Sequence, residues 1–127
     1  MPEHDHGYKL LFSHPRMVED LVRGFVPGGW VAELDFASLE RVPASYVGEE
    51  LEGRASDLVW RLHRQGEGWV YVYLLIEFQS TVDRFMALRV LTYVGLLCQE
   101  LVRQGGLSPE GKLPAVLPIV LYNGRVQ

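Results

Sequence analysis

Residues 69–79 read WVYVYLLIEFQ, and the fold turns on this run. It is β-branched and aromatic-rich and apolar on both faces, which places it in the interior of a sheet. Residues 56–63 (SDLVWRLH) form an extended run just before it, and Arg64-Gln65-Gly66-Glu67-Gly68 separates the two. Two such runs joined by a short glycine-containing loop predict a β-hairpin. Glu77 stands out inside the second strand, with Gln79 two residues on and so on the same face. A buried strand carboxylate is costly unless something compensates its charge.

The hairpin supplies a neighbour. A turn centred on Glu67 sets Asp57 directly opposite Glu77, with Cβ atoms roughly 4.5–5.5 Å apart. A slip of two residues leaves the pair diagonal on the same face. Two carboxylates at that distance destabilise the strand pair unless they share a proton or a cation. An oxygen-only pair suits a hard cation, Mg²⁺ or Mn²⁺. The plainer reading stays open beside it: most strand carboxylates are edge residues paired with arginine, and Arg54 and Arg61 are available.

Outward from the hairpin, a long helix is expected from Asp83 to Gln104, stopped by Gly105-Gly106. Phe85, Leu88, Leu91, Val94, Leu97 and Leu101 keep helical spacing along it. A loop with Pro109 and Pro114 leads to a last strand, Ala115 to Tyr122, closed by Asn123-Gly124. On the N-terminal side, His4 to Phe12 reads as a short helical turn. A helix then opens at Pro15, with Met17, Val18, Leu21, Val22 and Phe25 as its apolar stripe, and stops at Pro27-Gly28-Gly29. Residues 30–53 read as irregular, with room for one short strand or helix. The order helix-strand-strand-helix-strand gives an α/β fold, a mixed sheet whose central hairpin is flanked by helices.

Composition fits one domain. The chain has 127 residues, 48% of them hydrophobic and 22% charged, which excludes a disordered chain. A single cysteine, Cys98, excludes a disulfide framework and a cysteine zinc cluster. The N-terminus has no secretory pattern, and no apolar run approaches the roughly 20 residues of a membrane span. A soluble, cytoplasmic protein with no membrane partner is the expectation. The net charge of −4 excludes a polycation, so any nucleic-acid contact must rest on local clusters. Ten of the twelve basic residues are arginine, the side chain suited to bidentate phosphate contacts.

An Asp on the first hairpin strand and Glu-x-Gln on the second, with a helix before and after, resembles the PD-(D/E)xK nuclease core. More closely, the chain resembles the Rpn family of recombination-promoting nucleases, also labelled YhgA-like "putative transposases". The carrying stretches are residues 4–9 (HDHGYK), 54–59 (RASDLV), 75–80 (LIEFQS) and 118–124 (PIVLYNG). The resemblance implies an Mg²⁺- or Mn²⁺-dependent endonuclease acting on DNA and associated with recombination. Asp57 and Glu77 would hold the metal and Gln79 would orient the attacking water. Glu19, on the first helix, matches a place where some superfamily members carry an additional acidic ligand; a solvated helix face is its ordinary reading. Arg84 and Arg89, on the helix after the catalytic strand, are candidate phosphate contacts.

Two departures from the pattern support a rival from another class. Gln79 stands where the superfamily usually has Lys, and an amide can neither accept a proton as a base nor carry charge. Family members also usually continue beyond the Tyr-Asn-Gly turn, whereas this chain stops three residues after Gly124. The expectation is one nuclease-like domain over residues 1–127, cut short at its C-terminus. The rival is a cleavage-incompetent module that binds nucleic acid or a partner, with an open sheet edge or apolar surface favouring a homodimer. His4, Asp5 and His6 are minor metal candidates. Cys98 reads as a small buried hydrophobe, Tyr71 and Tyr73 as core or cleft lining, and Trp60 as core.

Overall fold

The computed structural model describes residues 11–42, 57–66, 68–77 and 84–122. Helix α1 (Pro15–Phe25) opens on a proline, whose missing N–H costs nothing in the first turn. A short 3₁₀ turn at Gly29–Glu33 leads into β1 (Leu34–Arg41), followed by β2 (Asp57–Arg64), β3 (Trp69–Glu77), helix α2 (Met86–Arg103) and β4 (Ala115–Tyr122). The sheet order is β1-β2-β3-β4. The first three strands are antiparallel, and β4 runs parallel to β3 after the α2 crossover. The α/β class and the central hairpin stand as expected.

The expected order of elements is corrected by one strand: β1 forms within residues read as irregular. Its ladder to β2 shifts register between Asp35 and Glu40, so the apolar alternation that marks a strand is broken. Ser38 bridges the irregularity: its hydroxyl donates to the Asp35 carbonyl at 2.6 Å and accepts from the His63 N–H at 2.8 Å. The expected turn from His4 and the tip at Asn123-Gly124 lie outside the described residues, apart from the end of the former at Leu11 and Phe12.

Alternation along β2 and β3 divides the core between the two sheet faces. Leu58, Trp60, Leu62, Val70, Val72 and Leu74 lie on one face and bury against Val18, Leu21 and Val22 of α1. The Trp60 indole N–H donates to the Phe12 carbonyl at 3.1 Å, so this core tryptophan has its polar atom satisfied. Val59, Tyr71 and Tyr73 lie on the other face, under Leu97 and Leu101 of α2. Full burial of side chains this size stabilises by roughly 1.5–3 kcal/mol each. Both tyrosines are core residues, not lining of an open cleft.

Helix α2 is apolar around most of its circumference, and its spacing alone misassigns its inner face. Met86, Leu97 and Leu101 are buried, whereas Phe85, Leu88 and Leu91 are exposed. Steps of three fall short of a full turn, so the run from Phe85 to Leu91 drifts away from the Leu97–Leu101 side. The helix also starts later than its pattern suggests, at Met86, with Phe85 as its N-cap. Phe25 of α1 likewise drops out of its stripe and is exposed.

Candidate functional site

The hairpin turn is centred on Gly66, not on Glu67. Gly66 takes a left-handed φ of 72°, which a residue without Cβ adopts readily. Arg64 N–H donates to the Gly68 carbonyl at 3.1 Å, closing the loop. His63 therefore pairs with Trp69, and the register carried back along the ladder pairs Asp57 with Leu75. The expected direct Asp57–Glu77 pairing is corrected: the carboxylate positions are diagonal, one pleat apart. Because Leu75 and Glu77 are two apart on one strand, positions 57 and 77 share a sheet face.

That face is the one α2 covers. Tyr93 of α2 meets Tyr73 edge to face, with ring centroids 6.3 Å apart, and Leu97 and Leu101 pack further along with Tyr71. The helix thus runs antiparallel to β3, and its N-terminal end lies towards position 77. Arg89, one turn before Tyr93, lies towards that end. Arg84 precedes the helix proper, and its guanidinium stacks 4.8 Å over the Phe85 ring. A third residue joins the site through the parallel pair: Glu77 is the register partner of Tyr122 on β4, and Tyr122 is exposed. Local sequence gave no signal for Tyr122 beyond its place in the Tyr-Asn-Gly stretch, since a parallel register is set by the crossover.

The structure does not bring Glu19 to these positions. Glu19 is on α1, which packs against the opposite sheet face, and its carboxylate accepts from Arg23 Nε at 2.8 Å. Arg61 is engaged where the face continues towards the hairpin turn. Its Nε donates to Glu40 at 2.7 Å, its Nη1 to the Tyr71 hydroxyl at 3.4 Å, and its guanidinium lies 4.1 Å from the Trp69 ring. Burial works against the Arg61 charge, but the bonds to Tyr71 and Glu40 outweigh it and hold its pKa above the ordinary value. Cys98 is half-buried, and burial pushes its thiol pKa up, the direction of lower reactivity. Gln79, Arg54, His4, Asp5 and His6 lie outside the described residues.

Oxygen donors at positions 57 and 77 fit a hard divalent cation by their chemistry. Among the described residues, no cluster of three or more His, Cys, Asp and Glu forms a further metal site. Nor is any described helix long and apolar enough to cross a membrane.

The chain is 33% identical over 122 residues to recombination-promoting nuclease RpnD of Escherichia coli O157:H7, covering 95% of this chain and 45% of that protein. It is 30% identical over 122 residues to recombination-promoting nuclease RpnA of Escherichia coli K12, covering 95% of this chain and 40% of that one. It therefore spans less than half the length of these two nucleases. A third similarity, 35% over 91 residues, is to YjiP of the same strain, named a "putative inactive recombination-promoting nuclease-like protein", and covers 71% of this chain and 86% of YjiP. No solved structure matches the chain at a significant level. The model of the family described as "Putative transposase, YhgA-like" matches residues 2–127. With a mixed four-stranded sheet consistent with a PD-(D/E)xK-like core and acidic strand positions gathered on one face, the chain belongs to the YhgA-like family that includes the Rpn recombination-promoting nucleases.

Proposed function

We propose that the chain is a divalent-cation-dependent endonuclease domain that cleaves DNA, with Asp57 and Glu77 holding Mg²⁺ or Mn²⁺. One observation carries this reading: the β2–β3 register sets the two acidic positions diagonally on one sheet face. Diagonal positions of an antiparallel pair lie about 7–8 Å apart, a span two carboxylates can close by reaching towards one cation. The cation, when bound, supplies Lewis-acid chemistry, withdrawing charge from the scissile phosphate and lowering the pKa of water.

The chain's own residues do the rest. Asp57 and Glu77 orient the substrate phosphate by fixing where positive charge sits against it. Gln79 would accept a hydrogen bond from the attacking water through its amide oxygen, positioning the water without taking its proton. Arg89, towards the Glu77 end of α2, and Arg84, just before the helix, are the candidate phosphate contacts. Glu19 has no part in this reading, because α1 lies on the other face.

The similarity to YjiP, named inactive, favours a second reading as a nucleic-acid-binding module without cleavage. Gln79→Lys separates the two. It restores the residue usual in the superfamily, so the nuclease reading expects cation-dependent nicking of plasmid DNA to be kept or raised. Salt-sensitive DNA binding with no nicking by either protein overturns it in favour of the module.

A further inference from the structure

Three tyrosines lie on the sheet face that α2 covers, and one of them is not part of the core. Tyr71 is 1% exposed and Tyr73 2%, whereas Tyr122, at the end of β4, is 42% exposed. The parallel register pairs Tyr71 with Val116 and Glu77 with Tyr122, so alternation puts position 122 on the face of 71, 73 and 77. The Tyr71 hydroxyl accepts a hydrogen bond from Arg61. Among the described residues, neither a hydrogen bond nor a ring contact engages Tyr122.

Its place follows from the sheet. Asp57, Glu77 and Tyr122 occupy three adjacent strands, β2, β3 and β4. Neighbouring strands are about 4.8 Å apart, so position 122 flanks position 77 on the side away from Asp57. β3 and β4 run parallel and both end here, and ligands of open α/β sheets bind beyond the carboxyl ends of such strands. β4 is also an outer strand of the described sheet, so a polymer can approach position 122 without crossing the hairpin.

The chemistry complements the acids. Ionised carboxylates only accept hydrogen bonds, and a phosphate drawn to their cation has further oxygens that need donors. A phenol O–H is such a donor, and tyrosine is among the side chains that contact nucleic-acid phosphates. We propose that Tyr122 is a substrate contact, its hydroxyl donating to a DNA phosphate oxygen beside the cation held at positions 57 and 77. This rests on the nuclease reading of those two positions and adds a residue from a third strand. Because the phenol is neutral, its contact releases no counterion and adds nothing to the salt dependence of binding. The bond forms with bound substrate as well as in the transition state, so its loss raises KM more than it lowers kcat.

Tyr122→Phe, which keeps the ring and removes only the hydroxyl, tests it. Its melting temperature should match the wild type. Fluorescence anisotropy with a labelled short DNA duplex in Ca²⁺ should show binding about tenfold weaker, the scale of one hydrogen bond to a charged group, with the salt slope unchanged. Plasmid nicking in Mg²⁺ should show a raised KM, and calorimetric Mn²⁺ affinity without DNA should stay as in the wild type. Duplex binding as tight as wild type overturns the proposal, and weakening by Tyr122→Ala alone would then assign the ring to base stacking. A fall in Mn²⁺ affinity without DNA also overturns it, because Tyr122 would then act through Glu77, as does a lowered melting temperature, which makes the hydroxyl structural. The cleavage reading fails separately. A wild type that nicks, beside a Tyr122→Phe variant that binds and nicks identically, removes only the tyrosine contact. Weaker duplex binding by Tyr122→Phe with no nicking by either protein keeps the contact and removes the cleavage; a wild type that neither binds nor nicks removes both.

Discussion

Asp57 faces Leu75 across the β2–β3 ladder, leaving Glu77 one pleat further along the same sheet face. Diagonal positions of an antiparallel pair lie further apart than directly opposed ones, so two acidic residues at such positions are expected to repel less without a cation.

The first prediction follows from that offset. Glu77→Gln should raise the stability of the cation-free protein by less than about 1 kcal/mol, the scale of a direct cross-strand pair. Millimolar Mn²⁺ should raise the melting temperature of the wild type by linkage and leave that of Glu77→Gln almost unmoved. Thermal unfolding by circular dichroism measures both. Equal responses in the two proteins would remove Glu77 from the cation site.

The two glycines Gly66 and Gly95 should respond to alanine with opposite signs. Gly66 has a φ of 72°, so Gly66→Ala should cost about 1–2 kcal/mol through backbone strain alone. Gly95 sits mid-helix with open space around its missing Cβ among the described residues, and Gly95→Ala should stabilise the protein by about 1 kcal/mol. Urea unfolding separates them. Destabilisation by Gly95→Ala would mean that the folded chain crowds that position.

Core substitutions should divide α2 from β2. Leu62 is fully buried against α1, and Leu62→Ala should cost about 2–5 kcal/mol. Leu91→Ala, on the exposed face, should stay within about 0.5 kcal/mol. A cost above 2 kcal/mol for Leu91→Ala would show that the face is covered within the chain.

Cys98 carries the pH prediction. Burial disfavours its thiolate, so its pKa is higher folded than unfolded. Its contribution to stability is therefore present at neutral pH and is lost as pH rises through the unfolded thiol's pKa and on to the folded one. Iodoacetamide alkylation should reach half-maximal rate at higher pH in the native protein than in urea. Coincident profiles would contradict this.

Much of this architecture is legible in the chain because it rests on local patterns. The apolar run from Trp69 to Glu77 marks an interior strand, and alternation puts Trp60 and Asp57 on opposite faces. What escapes depends on single backbone torsions or on partners remote in sequence. The left-handed turn at Gly66 shifts the hairpin register by two residues. The Ser38 irregularity hides β1 by breaking its alternation. The side of the sheet to which α1 packs decides the place of Glu19, and the α2 crossover decides that of Tyr122; neither is written in nearby residues.

In the proposed nuclease, Asp57 and Glu77 act together on one cation at a DNA phosphate. Nicking of supercoiled plasmid with and without Mg²⁺ or Mn²⁺, by the wild type, Asp57→Ala and Glu77→Ala, tests it most directly. The wild type should nick in a cation-dependent way and each variant should lose this, with salt-sensitive DNA binding retained by all three. Nicking that persists in either variant, or that needs no cation, would contradict it.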